Sequence, residues 1–145
     1  MNRHHTLSRI NESIRVITKS AKQTHGSDTV CVTPALDHVL LVLGWEDHVT
    51  IKSLAQQLMI SAGAATQHIE ALEKLGYAER YTNPSDKRET FAQLTVHGRA
   101  ALQRIQKQQQ EILTDIFSPL NDHELEELLI ILNKVKQRNI TGEST

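Results

Sequence analysis

The chain has 145 residues, of which 39% are hydrophobic and 23% are charged, and its formal net charge is −1. This length favours one folded unit with its own core, and a net charge near zero gives no argument by itself for a nucleic-acid partner. The single cysteine excludes an intramolecular disulfide, and no run of residues is apolar and long enough to span a bilayer. Aliphatic residues outnumber aromatic ones and the first residues lack a signal-peptide pattern, so we expect a mainly helical, cytoplasmic protein.

Helices are predicted at both ends of the chain. Residues 6–23 place aliphatic side chains at alternating steps of three and four, which makes a narrow apolar seam: Leu7, Ile10, Ile14, Ile17 and Ala21. Thr95 is expected to cap a helix that runs to about residue 117, and Asn121 to open a capping box before a last helix over residues 122–138. These seams exceed what one small chain can cover, so we predict a homodimer built from the terminal helices.

The central part of the chain has the pattern of a helix-turn-helix. Thr50 is a candidate N-cap for a short helix over residues 51–58, and residues 59–60 are expected to form the turn. Ser61 can cap a second helix, which Gly76 ends in a left-handed conformation. The apolar positions of this second helix form one stripe: Ala65, Ile69, Leu72 and Leu75.

A preceding helix and a following hairpin complete the predicted fold. Pro34 suits the first turn of a well-buried helix that ends at Gly44. After the helix-turn-helix, residues 77–81 and 90–94 are predicted as strands on either side of a charged tip, which makes a wing. A short strand at residues 48–49 is expected to complete the sheet. The predicted fold class is therefore mainly α with a small β wing.

The wing carries the most specific pattern in the chain. Its residues follow the order D-x-R-x5-L-T-x-x-G: Asp86, Lys87, Arg88, Leu94, Thr95 and Gly98. Further matches lie in the second helix of the helix-turn-helix and in the strand after it: Thr66, Leu72, Glu73, Gly76, Glu79 and Arg80. With the opening of the last helix at residues 120–132, these motifs make the chain resemble the MarR family of bacterial winged helix-turn-helix regulators over nearly its whole length.

The resemblance implies a single MarR-like domain over residues 1–145. In it, residues 1–33 and 96–145 are the dimerisation helices and residues 34–95 are the winged helix-turn-helix DNA-binding region. The function implied is a sequence-specific transcriptional regulator, commonly a ligand-responsive repressor, that binds a pseudo-palindromic site on double-stranded DNA as a homodimer. No cofactor is implied. An enzyme is not expected, because the sequence has no Gly-rich phosphate loop, HExxH motif or nucleophile elbow.

The family's mode of binding implies which residues contact DNA. The recognition helix enters the major groove, and the candidate contacts lie on its leading part: Ser61, Ala62, Ala64, Thr66 and Gln67. Gln67 can form a bidentate contact with adenine. Arg88 is the candidate for the minor groove, and the resemblance implies that Asp86 orients it. Lys52 and Lys87 are candidates for phosphate contacts.

The charge of the predicted interface leaves a second function open. Residues 61–95 contain five acidic and four basic side chains, and Gln67 stands where the family commonly has arginine. We therefore expect a modest salt dependence of DNA binding, with a dimeric protein-interaction module as the alternative. His68 occupies a position that usually faces inward, and we expect it to be partly buried and hydrogen-bonded, with a sensor of pH or ligand as the alternative.

Candidate sensing residues lie before the helix-turn-helix. Cys31 is expected to be an incidental thiol, because no basic residue adjoins it, although a redox-sensing role is the alternative. Four metal-capable side chains are close in sequence but lack the ligands that zinc-sensing relatives take from a later helix: His25, Cys31, Asp37 and His38. His38 and Trp45 are candidates to line a pocket for a small aromatic or phenolic effector. For Trp45, burial in the core is the favoured interpretation, and a place in this pocket is the alternative.

Overall fold

A computed structural model describes residues 2–25, 33–46 and 48–140 of the chain. Its elements in chain order are α1 (Arg3–His25), α2 (Pro34–Trp45), β1 (Val49–Thr50), α3 (Ile51–Leu58), α4 (Ala62–Lys74), β2 (Ala78–Thr82), β3 (Thr90–Leu94), α5 (Val96–Ile116) and α6 (Asp122–Ile140). This order confirms the predicted fold class, a winged helix-turn-helix between terminal helices. Within the described ranges, no helix is long and apolar enough to cross a membrane.

The contacts within the chain group it into two units. Residues 22–109 form one, called here the winged unit, and residues 1–21 with 110–145 form the other, called the terminal unit. Among the described residues, the buried hydrophobic side chains all belong to the winged unit: Leu36, Val39, Leu40, Val42, Leu43, Val49, Leu54, Ala55, Ala65, Ile69, Leu72, Ala78, Ala92, Leu94, Ala101 and Ile105. The hydrophobic core therefore lies around the helix-turn-helix and its sheet.

Side-chain caps set the geometry of the helix-turn-helix as the sequence predicts. The Thr50 hydroxyl accepts a hydrogen bond from the Ser53 amide at 3.0 Å and begins α3. The Ser61 hydroxyl accepts one from the Ala64 amide at 3.1 Å and begins α4. Between them, Met59 adopts a left-handed conformation with φ of 56°, so the two helices are joined by a tight turn.

The three strands form an antiparallel sheet in the order β1-β3-β2. Val49 pairs with Ala92, and Tyr81 pairs with Phe91. The rings of Tyr81 and Phe91 stack with their centroids 5.3 Å apart, and the His48 ring meets both edge-on. His48 Nδ1 also shares a hydrogen bond with the Tyr81 hydroxyl. This ring cluster joins the wing to the segment before β1.

The junction between the wing and α5 explains the end of the signature L-T-x-x-G. The Thr95 amide donates to the Tyr77 carbonyl at 3.1 Å, and the Thr95 hydroxyl donates to the Gly76 carbonyl. The same hydroxyl accepts from the Gly98 amide at 3.0 Å and so caps α5. A Cβ at position 98 would lie 1.8 Å from the Tyr77 carbonyl oxygen. Only glycine fits where the helix approaches this carbonyl so closely.

The terminal unit differs from the winged unit in its burial. No described residue of α1 or α6 is buried. The predicted capping box is present at the start of α6, where the Glu124 amide donates to Asn121 Oδ1 at 3.0 Å and the Asn121 amide donates to Glu124 Oε2 at 2.9 Å. The apolar seams of these helices therefore remain uncovered within one chain.

Three details differ from the sequence-based expectations. Helix α2 continues through Gly44 to Trp45, because Gly44 does not adopt the left-handed conformation that would end it, and its missing side chain leaves room for Leu102. Leu75 is 38% exposed rather than part of the core stripe, since it is the C-cap residue beyond the last turn of α4. Trp45 is 68% exposed, so the favoured expectation that it lies in the core is wrong for this structure.

Candidate nucleic-acid interface

The solvent-facing side of α4 presents one side chain well suited to read a base edge. Gln67 is exposed, and its amide makes no hydrogen bond with another residue of the described ranges. By contrast, the Ser61 hydroxyl is engaged in its cap, and the Thr66 hydroxyl donates to the Ala62 carbonyl at 2.9 Å. Of the predicted contacts on α4, Gln67 is therefore the one with a free donor and a free acceptor.

The first turn of α4 has only small side chains. Ala62 and Gly63 are exposed and Ala64 is half-buried. A Cβ at Gly63 would meet nothing nearer than the Ser61 hydroxyl oxygen at 4.0 Å. The backbone at this end can thus approach another surface closely. Gly63 was not among the residues predicted from the sequence, although a glycine in the first turn of a recognition helix is a visible signal for close approach.

Hydrogen bonds within the wing constrain the conformation of its tip. The Asn83 side-chain amide donates to Glu89 Oε2 at 2.9 Å, and the Ser85 amide donates to Asn83 Oδ1 at 2.9 Å. Lys87 and Arg88 are exposed at this tip. Two cationic side chains are therefore displayed by a locally constrained loop rather than by a loose one.

The contact between Asp86 and Arg88 differs from the one that the resemblance implied. Asp86 Oδ1 accepts a hydrogen bond from the backbone amide of Arg88 at 3.0 Å. Within the described ranges, the guanidinium of Arg88 has no ion pair. Asp86 therefore fixes the backbone that carries Arg88, and it does not hold the guanidinium itself in this structure.

Acidic side chains of α4 are paired with the wing. Arg80 on β2 places its Nε 2.6 Å from Glu73 Oε1 and its Nη1 3.6 Å from Glu70 Oε1. Between the two long strands of the sheet, the Gln93 side-chain amide donates to Glu79 Oε1 at 2.6 Å. These charges can be counted in the sequence, but their pairing is visible only in the folded chain.

Two further predicted positions are described by the structure. Lys52 is exposed in the first turn of α3, where its amine is available to a phosphate. His68 is half-buried, as expected, but its ring makes no hydrogen bond with another residue of the described part of the chain. The expected hydrogen bond of His68 is therefore wrong for this structure.

The two candidate effector-binding residues do not line the cavity of the winged unit. His38 and Trp45 lie two turns apart on α2, and both are exposed. A cavity of about 330 Å³ in the winged unit has a different lining: Leu43, Gly44, Glu46, Gln93, Leu94, Arg99, Leu102, Gln103 and Gln106. The role of His38 and Trp45 in effector binding stays a prediction. Cys31, the candidate redox residue, lies outside the described residues.

Comparisons with known proteins agree with this geometry. A model of the MarR family matches residues 32–90. The uncharacterized HTH-type transcriptional regulator YwhA of Bacillus subtilis (strain 168) is 27% identical over 125 residues, which are 83% of this chain and 90% of that protein.

Two solved structures show the same fold. A MarR family protein from Bacillus stearothermophilus has a TM-score of 0.81 at 19% identity, over 97% of this chain and 99% of that one. FabT of Streptococcus pneumoniae, in complex with DNA, has a TM-score of 0.71 at 24% identity, over 90% of this chain and 95% of that one. The family model thus matches the central part of the chain, and over nearly its whole length the chain has the fold of a solved MarR family protein.

Proposed function

We propose that the chain is a sequence-specific, double-stranded DNA-binding regulator that acts as a homodimer. The observation that carries the proposal is the arrangement of the winged unit. One helix has a small-residue first turn and an exposed, unpaired Gln67, and the adjoining wing displays Lys87 and Arg88. A protein with the same fold, FabT, is solved in complex with DNA, which supports this function.

The recognition helix, the wing and the lysines would contact different parts of the DNA. Helix α4 fits the major groove, where the Gln67 amide can donate to N7 of adenine and accept from the N6 amino group as one bidentate contact. Arg88 suits a narrow minor groove, where the negative potential attracts a guanidinium. Lys52 and Lys87 would contact phosphates, which position the protein without reading the sequence.

The uncovered seams of the terminal helices support dimerisation. Four side chains of α1 are between 45% and 57% exposed: Leu7, Ile10, Ile14 and Ile17. On α6, Leu129, Leu132 and Val135 are between 53% and 58% exposed. Contiguous apolar surface of this kind is normally covered by a partner. A two-fold dimer would present two α4 helices to half-sites about one helical turn apart, so the operator would be pseudo-palindromic.

A charge placed in the α1 seam should separate the subunits. We expect Ile14→Glu to be mainly monomeric at micromolar concentration, because a carboxylate buried in an apolar interface without a partner is strongly unfavourable. Val16→Glu is the matched control, since Val16 is 62% exposed on the opposite side of the same helix. Sedimentation velocity measures both. A dimeric Ile14→Glu variant would show that α1 does not form the interface.

A mobility-shift experiment tests DNA binding itself. The purified chain is titrated at low salt onto a fragment that carries the upstream region of its own gene, with a coding fragment of equal length as control. We expect retardation of the upstream fragment at lower protein concentration. If neither fragment is retarded and Arg88→Ala changes nothing, the DNA-binding function is wrong. The alternative, a protein-interaction module, would then be favoured by the excess of acidic residues between 61 and 95.

We also propose that the regulator is a repressor that a small aromatic or phenolic effector releases from DNA, with His38 and Trp45 in contact with it. Both side chains are exposed on one helix and are free to meet a ligand. Because Trp45 is the only tryptophan in the sequence, an effector that releases the DNA should also change the tryptophan fluorescence. Screening of phenolic and benzoic acids measures both effects. An unchanged release of DNA in a His38→Ala/Trp45→Phe variant would contradict this assignment.

A further inference from the structure

The acidic residues of the candidate interface all have partners within the chain. Glu70 and Glu73 pair with Arg80, Glu79 accepts from Gln93, Glu89 accepts from Asn83, and Asp86 accepts from the Arg88 amide. The basic side chains Lys74, Lys87 and Arg88 are exposed and have no ion pair within the described residues. The structure therefore separates acids that are engaged internally from cations that are available to a ligand.

Arg80 has a special place in this arrangement. It lies on β2, which packs against α4, and its guanidinium faces two carboxylates that are three residues apart on that helix. The Glu73 Oε1 atom is shielded from water and has no hydrogen-bond partner of good geometry. The positive charge of Arg80 is therefore the main interaction that stabilises this buried carboxylate oxygen. The three side chains are between 31% and 49% exposed, which makes the pairing stronger than that of a fully solvated pair.

These contacts matter because α4 would lie between two rows of phosphates in the proposed DNA complex. Two uncompensated carboxylates on that helix would repel the phosphates, and like-charge juxtaposition of this kind is strongly unfavourable. The positive charge of Arg80, on a strand of the wing, removes most of that repulsion. The same ion pair also joins the recognition helix to the strand that leads to Arg88.

We propose that Arg80 is a positioning residue that makes an acidic recognition helix compatible with DNA. It pairs with Glu73 and Glu70, neutralises them, and fixes α4 against β2, and it does not itself contact the DNA. This inference rests on the proposed DNA-binding function. It also explains how a segment with more acidic than basic residues can serve as a DNA-binding surface.

Rescue by neutral side chains tests the proposal. The dissociation constant of the upstream fragment is measured by fluorescence anisotropy for the full chain. Arg80→Gln should weaken binding about ten-fold at low salt, since it exposes two carboxylates to the phosphates. Adding Glu70→Gln and Glu73→Gln to Arg80→Gln should restore binding to within about three-fold of the wild type and restore its salt dependence.

Arg99→Gln is the matched control. Arg99 is an exposed residue of α5 that has no ion pair within the described residues, so the variant loses the same charge at a residue outside the predicted DNA contacts. Its binding should stay within about two-fold of the wild type, because an exposed charge that makes no contact with the DNA is screened by salt. Thermal unfolding of each variant is followed in parallel, so that lost binding can be separated from lost folding.

Different failures of this experiment are distinguishable. If Arg80→Gln binds as tightly as the wild type, Arg80 has no positioning role. If the triple variant stays as weak as Arg80→Gln, with a salt slope reduced by about one, Arg80 is a direct phosphate contact and the proposal is overturned. A triple variant that stays weak while its unfolding midpoint falls would also overturn it in favour of a purely structural contact. Absence of binding by the wild type would remove the proposed function together with this inference.

Discussion

Replacement of Arg88 by alanine is expected to weaken DNA binding by about 10- to 100-fold, or roughly 1–3 kcal/mol. Arg88 is exposed at the tip of the wing, and its guanidinium is unpaired within the described residues. The backbone that carries it is already held by Asp86, whose carbonyl also accepts a hydrogen bond from the Glu89 amide at 3.0 Å. That backbone would therefore lose little conformational entropy on binding. Most of the interaction free energy of the guanidinium should then contribute to the affinity.

The wing is expected to contribute more to the DNA affinity than the recognition helix. Fluorescence anisotropy of the labelled upstream fragment should show weaker binding for Arg88→Ala than for Gln67→Ala, because α4 offers one free base-reading amide and only Lys74 as a basic residue. Arg99→Ala, with the same loss of charge on α5, should bind within about two-fold of the wild type. The reverse order, with Gln67→Ala weaker than Arg88→Ala, would place the main affinity on the helix instead.

Replacement of Gly98 by alanine is expected to lower the free energy of unfolding by about 3 kcal/mol. The added Cβ would lie 1.8 Å from the Tyr77 carbonyl oxygen and 2.8 Å from the carbonyl carbon. Both atoms belong to the backbone, so the clash is relieved only if α5 or the start of the wing moves. That carbonyl also accepts the Thr95 amide, so the movement would strain the cap of α5.

Gly63→Ala is the matched control, and its expected effect on the free energy of unfolding has the opposite sign. Gly63 lies in a helix, and a Cβ there would meet only the Ser61 hydroxyl oxygen at 4.0 Å. Alanine should therefore stabilise the chain by about 0.5–1 kcal/mol through its higher helix propensity. Chemical denaturation of both variants measures the difference. Equal unfolding free energies for Gly98→Ala and the wild type would show that the helix does not approach Tyr77 as described.

Signals between neighbouring residues predicted much of the fold. Thr50, Ser61, Thr95 and Asn121 cap helices where the sequence places them, and Gly76 has φ of 77°. Such signals succeed because a cap or a left-handed turn depends on chemistry within three or four residues. The wing followed from two short strand-like runs on either side of a charged tip, and its tip residues were assigned by their resemblance to a family signature. Gln67 and Arg88 could be named as candidate contacts before folding was considered, because the resemblance implies contacts at their positions in the recognition helix and in the wing.

Properties that depend on distant residues were decided only by the tertiary structure. The charges of residues 61–95 can be counted in the sequence, but the pairing of Arg80 with Glu73 cannot be predicted from it, because a strand and a helix meet there only after folding. The surface position of Trp45 was equally hidden, since the exposure of an apolar residue depends on what packs over it. Gly98 was visible as part of a motif, and only the approach of the Tyr77 carbonyl explains why the position excludes a side chain. Local chemistry in the sequence therefore determined the elements and the resemblance supplied the candidate contacts, whereas packing between elements decided which charges and surfaces remain available.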